Sequence, residues 1–151
     1  MTGWRIGYLL SPDSELMNEL TKMQYYVTAC TNDAMQYAVL ESLEKAPDYP
    51  EKMCAEFKER RDLICERLNA IPGVTCHVPT GAFYVFPKVE IPGLNSEEIA
   101  LRLLEGGVLC SPGTAFGEAG EGHLRFAYTI GREDISRGMD RVEAVLSELR
   151  G

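Results

Sequence analysis

The sequence lacks any apolar run long enough to cross a membrane. Its longest apolar stretches are only a few residues, whereas a spanning helix needs roughly 20. No charged N-terminal region precedes an apolar stretch, so a secretory leader is not indicated.

Basic residues are also outnumbered, because 15 lysines and arginines face 23 acidic residues for a formal net charge of -8. Such a charge repels nucleic acid and anionic lipid. We therefore expect a soluble, cytoplasmic protein with no nucleic-acid or membrane partner.

Histidine is scarce, and the cysteines form no recognisable set. The chain has two histidines and five cysteines, an odd number without a C-x-x-C pair. Neither a disulfide framework nor a zinc or other metal site is supported. The cysteines are expected to be buried thiols in a reducing compartment. His123 has no nucleophile motif beside it, so it is not predicted to be a general base.

Helical periodicity is present in five segments. Capping residues and apolar stripes predict helices over residues 13–27, 33–45, 48–71, 95–105 and 133–149. The third of these is long and ends at the Ile71-Pro72-Gly73 breaker. The rest of the chain is predicted to form short strands and turns.

Alternation of apolar and polar residues predicts the strands. Residues 4–10 form one, with Arg5 between Gly3 and Gly7 on its open face. Residues 74–78 and 82–86 suggest an antiparallel pair, and residues 108–110 form a further short strand. Residues 123–129 form the last, with Arg125 opposite an apolar face. The order of elements indicates an α/β (α+β) fold with a short α/β start, 1–46, and an α+β domain, 47–151.

Four segments of the sequence resemble one known family. Residues 1–8 read Met-Thr-Gly-Trp-Arg-Ile-Gly-Tyr, which resembles the sequence immediately after the cofactor lysine in class I and II aminotransferases, a branch of the fold-type I pyridoxal-phosphate enzymes. Residues 79–87, 111–117 and 123–127 resemble further signatures of that family, in the family's order. The resemblance extends over almost the whole chain.

The resemblance implies a fold and two site residues. Residues 1–46 would be the end of the large cofactor-binding domain, and residues 47–151 the small domain, with a short sheet covered by helices after a long connecting helix. Arg5 would bind the phosphate of pyridoxal phosphate, because a guanidinium pairs bidentately with phosphate and stays charged. Arg125 would bind the α-carboxylate of the substrate.

The resemblance also implies an activity for the complete enzyme, which would be a homo-oligomer exchanging amino groups between amino acids and 2-oxo acids. In the family the Schiff-base lysine lies several residues before the phosphate arginine, which places it upstream of Met1. The five lysines present read as solvated: Lys22, Lys45, Lys52, Lys58 and Lys88. The sequence therefore predicts no catalytic residue, weak or no cofactor binding, and no transamination by this chain alone.

Two other functions remain open. A sister activity on the same fold, such as that of a carbon-sulfur lyase, would use both arginines equally. A non-enzymatic self-associating module is the second, since the strand at 4–10 would expose an apolar face. Core packing is expected for the aromatic residues of the family-like segments: Phe83, Tyr84, Phe86 and Phe116. The glycine-rich stretch 117–122 matches neither a phosphate loop nor a dinucleotide fingerprint.

Overall fold

The computed structural model describes residues 1–151, except for the side chain of Thr2. The chain divides into two compact units, Met1–Pro50 and Glu51–Gly151. Along the part of the chain that is described, each helix is too short or too polar to traverse a lipid bilayer.

The first unit opens without the expected strand. A 3₁₀ turn occupies Thr2–Trp4, and residues 5–10 have no regular structure, so the strand predicted over residues 4–10 is wrong. A strand needs ladder hydrogen bonds to a neighbour, and the described residues of this unit contain no other strand. Arg5 also has φ 55, a left-handed conformation that interrupts an extended backbone.

Two helices complete the first unit, as predicted. Helix α1 spans Ser14–Thr28 and helix α2 spans Asp33–Lys45. Asp13 caps α1 by accepting a 3.0 Å hydrogen bond from the Leu16 amide, and Asn32 caps α2 in the same way. Neither helix, both described along their whole length, contains a buried residue.

Three helices belong wholly or mainly to the second unit. Helix α3, Tyr49–Ala70, starts at the end of the first unit and continues through the second. Helix α4 spans Ser96–Glu105 and begins with a capping box between Asn95 and Glu98. Helix α5 spans Arg132–Glu148. Each matches a predicted helix, because caps and apolar stripes are local signals.

The strands of the second unit are short and pair differently from expectation. They are β1 Val74–Thr75, β2 Tyr84–Val85, β3 Lys88–Val89, β4 Ser111–Pro112 and β5 Leu124–Ala127. Strand β1 pairs antiparallel with β3, while β5 lies between β2 and β4, antiparallel to both. The predicted pairing of 74–78 with 82–86 is therefore wrong, because alternation fixes a strand's faces but not its partner.

The strand predicted at 108–110 is also displaced, since regular pairing begins only at Ser111. The amide of Val108 instead donates to the Leu103 carbonyl at 2.8 Å. Gly107, with φ 80, makes the left-handed turn that this closure of α4 requires. The backbone donor of Val108 is thus used to end a helix and not to extend a sheet.

The buried apolar core runs from Ile64 to Leu146 and lies entirely in the second unit. Cys65 and Cys76 are part of it, with their sulfur atoms 3.9 Å apart. Cys30 and Cys54 are exposed, so the expectation of buried thiols is wrong for them. Cys30 follows α1 and Cys54 lies in the first half of α3, both outside the core.

Candidate functional site

Arg125 projects from the central strand of the three-stranded sheet. Its neighbours Leu124 and Phe126 are 0% and 4% exposed, whereas Arg125 is half-buried on the other face. Side chains alternate across a strand, so the apolar side chains of β5 point into the core and that of Arg125 points away from it. The direction predicted from the sequence is the one observed.

Two aromatic rings contact the guanidinium of Arg125. Its Cζ lies 4.5 Å from the ring centroid of Tyr84 and 4.2 Å from that of Phe116. The Ser111 hydroxyl accepts a long, 3.4 Å hydrogen bond from Nη2. A cation over an aromatic face is attracted by the ring quadrupole. We call Tyr84 and Phe116 the aromatic clamp of Arg125.

The charge of Arg125 is not balanced by an acid of the second unit. Ion pairs within 4.0 Å occupy six other arginines, and among the described residues Arg125 is in none of them. A partly desolvated guanidinium without a carboxylate partner is suited to take one from solution. The site can therefore bind a planar anion at the free edge of the guanidinium.

Close backbone contact shapes the segment that carries Phe116. Two 3₁₀ turns, Gly113–Phe116 and Glu118–Gly120, meet where Gly113 and Gly120 face each other. A Cβ atom on Gly113 would lie 2.0 Å from the Gly120 carbonyl oxygen, and one on Gly120 would lie 2.1 Å from that of Gly113. Both positions require glycine for this contact. The glycine-rich stretch thus serves packing and shows no phosphate-loop geometry.

Glu121 fastens the same segment to the start of α4. Its carboxylate accepts hydrogen bonds from the Ser96 amide at 2.8 Å, from the Ser96 hydroxyl at 3.1 Å, and from the Gly122 amide at 2.9 Å. The hydrogen bonds from the Ser96 and Gly122 amides hold the pKa of Glu121 below its ordinary value. The carboxylate is therefore ionised where it meets the positive end of the helix dipole.

Arg5 lies in the first unit with its side chain exposed. A Cβ atom added to either Gly3 or Gly7 would meet nothing within 4 Å, so the flanking glycines leave open space, as predicted. Among the described residues, no carboxylate pairs with Arg5 within the 4.0 Å ion-pair distance. An uncompensated guanidinium in open space fits a phosphate group. Arg5 and Arg125 belong to different units.

The five lysines of the chain are exposed at its surface. Lys22, Lys45 and Lys88 form ion pairs with Glu19, Glu41 and Glu90. Lys52 and Lys58 are exposed on α3. Surface ammonium groups such as these have no burial to activate them as nucleophiles. No group of three or more potential metal ligands occurs among the described residues.

Sequence reasoning missed three residues around Arg125: Ser111, Tyr84 and Phe116. Core packing was expected for the two aromatics, yet Tyr84 is half-buried and Phe116 is 53% exposed. One signal was available, because Tyr84 precedes the buried Val85 and so must point away from the core. The position of Phe116 depends on the turn Gly113–Phe116, which no local pattern predicts.

Comparison with known proteins places the chain in a family. The family model described as aminotransferase class I and II matches residues 1–142. An aspartate aminotransferase of Pyrococcus horikoshii is 39% identical over 149 residues, covering 97% of this chain and 38% of that protein. An aromatic-amino-acid aminotransferase 2 of Thermococcus litoralis is 39% identical over 151 residues, with 98% and 38% covered. The chain thus spans about two fifths of these curated relatives.

Solved structures agree with the sequence comparison. An alanine aminotransferase from Pyrococcus furiosus matches with a TM-score of 0.84 and 38% identity over 97% of this chain and 39% of that one. An aspartate aminotransferase from Thermus thermophilus with maleate has the same TM-score at 34% identity, with 96% and 38% covered. The fold is that of a segment of fold-type I aminotransferases. By sequence and by structure, the chain belongs to the class I and II aminotransferase family.

Proposed function

We propose that the chain provides two anion-binding arginines to a pyridoxal-phosphate-dependent aminotransferase that exchanges amino groups between amino acids and 2-oxo acids. Arg125 binds the α-carboxylate of the substrate, and Arg5 binds the phosphate of the cofactor. The proposal is supported above all by the guanidinium of Arg125, which is half-buried, in contact with two rings and unpaired among the described residues.

The chemistry of Arg125 suits a carboxylate. Its guanidinium offers several N–H donors in a planar fork, and the long bond to Ser111 occupies only one of them. A carboxylate can accept two parallel hydrogen bonds from such a fork. The carboxylate common to amino acids and 2-oxo acids would be recognised in this way, whatever side chain the substrate carries.

Arg5 suits the phosphate for a related reason. It carries a permanent charge, and the adjacent glycines leave room for an anion. Pyridoxal phosphate, when bound, supplies the electron sink needed for amino transfer. A single exposed arginine contributes little affinity by itself, so these 151 residues alone bind the cofactor weakly.

The chain alone does not transaminate, in our proposal, because none of its lysines is placed to hold the cofactor. All five lysines are exposed, and three are already paired with glutamates. Mixing the chain with pyridoxal phosphate, aspartate and 2-oxoglutarate should yield no glutamate. A tight, saturable complex with a shifted visible absorption band would contradict this part of the proposal.

The carboxylate site can be tested directly. Titration of the chain with 2-oxoglutarate should shift the Arg125 Nε–Hε resonance in nitrogen–proton NMR spectra in a saturable way. Arg125→Lys keeps the charge but loses the planar fork, so its dissociation constant should rise roughly tenfold or more. Arg132→Lys is the matched control, since Arg132 is exposed and paired with Glu59. Equal binding by both variants would refute the role of Arg125.

We also propose that the protein is a homo-oligomer. Large apolar side chains of the first unit are strongly exposed, among them Tyr8 at 72%, Leu10 at 85% and Tyr26 at 86%. Apolar side chains exposed to this extent favour association. Sedimentation velocity should show a mass that rises with concentration. A strictly monomeric species at high concentration would speak against it.

A further inference from the structure

We propose that Tyr84 and Phe116, the aromatic clamp, are positioning residues that fix the plane in which Arg125 receives a carboxylate. The inference rests on the proposed function of Arg125. It concerns two residues that touch the guanidinium and that act on a ligand only through it.

The geometry of the clamp restricts how an anion can approach. The guanidinium carbon lies over the faces of both rings, at 4.5 and 4.2 Å from their centroids, so an anion cannot occupy the positions that the rings fill. The N–H donors of a guanidinium point outward in its plane. A carboxylate is therefore admitted at the edge, where both of its oxygens can accept hydrogen bonds in that plane.

The clamp also prepares the arginine before any ligand arrives. A free arginine side chain has many rotamers, and binding a ligand costs it that conformational freedom. Contact with two rings and with Ser111 removes much of that freedom in advance. Pre-organisation of this kind raises affinity by lowering the cost of ordering, and aromatic faces compensate the cation for its lost water.

Each ring of the clamp also contacts a second aromatic ring. The Phe83 ring contacts Tyr84, with centroids 4.6 Å apart, and the Phe86 ring meets Phe116 edge to face, with centroids 6.1 Å apart. Strand β2 carries Tyr84 beside β5, where it pairs with Ala127. The turn that carries Phe116 is fixed by the Gly113–Gly120 contact. The backbone therefore sets the position of both rings without help from the arginine.

The experiment compares leucine variants with ring-preserving ones. Tyr84→Leu and Phe116→Leu should weaken 2-oxoglutarate binding about three- to tenfold each, and they should remove the ring-current displacement of the Arg125 Nε–Hε resonance. Tyr84→Phe keeps the ring and should retain wild-type values of both. Tyr37→Leu is the matched control, because Tyr37 is 71% exposed and lies in the first unit. Phe116 is about half exposed, so its leucine variant should keep the fold.

The outcomes separate this inference from the function on which it rests. A wild-type chain without a saturable response to 2-oxoglutarate refutes the role of Arg125, and the clamp falls with it. Folded leucine variants that bind as tightly as wild type refute the clamp and leave Arg125 in place. Absence of ring-current displacement in the wild type also overturns the clamp. Weakened binding in both leucine variants, with Tyr84→Phe unaffected, supports it.

Discussion

Burial sets the reactivity of the thiols, residue by residue. Burial is the main cause that raises the pKa of Cys76 to about 12 and that of Cys110 to about 11. It also raises the pKa of Cys65, against the smaller opposing effect of its hydrogen bond with Cys76. Cys30 and Cys54 are exposed instead. Because the thiolate is the nucleophile, the five cysteines should divide into two groups.

Alkylation should reveal that division. With iodoacetamide at about pH 8, Cys30 and Cys54 should be modified first, as measured by peptide mass spectrometry. Burial shields the Cys76 thiol and its raised pKa keeps it protonated at that pH, so Cys76 should react only when the chain unfolds. Urea should make all five equivalent. Labelling of Cys76 as fast as that of Cys54 without urea would contradict the structure.

The candidate site was predictable in part from single residues. Alternation of apolar and polar residues predicted the direction of the Arg125 side chain, because Leu124 and Phe126 point into the core and the residue between them must point outward. The glycines around Arg5 indicated open space in the same local way. The aromatic clamp could not be predicted from the sequence, since it depends on the register of β2 on β5 and on the conformation of a 3₁₀ turn. Both are long-range results of folding.

Among the elements, the two 3₁₀ turns before β5 depend most on glycine. The backbones of Gly113 and Gly120 touch, and Gly113 donates from its amide to the His123 carbonyl at 2.8 Å. Glu121 ties the same segment to α4. The segment is therefore fixed at both ends, although its composition resembles that of a mobile loop.

Alanine at two glycines should have opposite effects on stability. Gly113→Ala places a methyl group against backbone that cannot move aside, so it should lower the free energy of unfolding by about 2 kcal/mol or more. Gly138 lies within α5, and a methyl group added there would meet no atom within 4 Å. Because alanine favours the helix more than glycine does, Gly138→Ala should raise the free energy of unfolding by roughly 0.5–1 kcal/mol. Urea denaturation measures both. Equal midpoints for the two variants would refute the backbone contact.

Helices were predicted closely and strands were not. Helices α1, α2 and α4 begin within one residue of their predicted starts, where Asp13, Asn32 and Asn95 cap them, because capping is a local interaction. Strand partners, in contrast, depend on residues that are far apart in the sequence. The segment at 4–10 alternates well yet has no partner in its unit, and Val108 uses its amide to close α4.

At the scale of the whole molecule, buried apolar side chains are unevenly distributed. The core lies between Ile64 and Leu146, while α1 and α2 contain no buried residue along their described length. Helices in water gain most of their stability from packing an apolar face. The second unit should therefore carry the cooperative unfolding of the chain.

Hydrogen exchange should follow this distribution. Amides of α1 and α2 should exchange by local opening, much faster than those around Leu68, Val142 and Leu146, each 0% exposed. The latter should exchange only with global unfolding. Mass spectrometry of exchanged peptides makes the comparison, with the chain in urea as the fully open reference. Equal protection in α1 and α5 would show that stability is spread evenly.

The single tryptophan gives this asymmetry a practical consequence. Trp4 is 55% exposed at the start of the first unit, and no other residue of the chain is a tryptophan. Intrinsic fluorescence excited at the red edge thus reports on the segment without a core, whereas circular dichroism reports mostly on helices. The two signals need not coincide during denaturation, and their disagreement would not signify an intermediate of the core. A fluorophore introduced into the second unit would be needed to follow its unfolding optically.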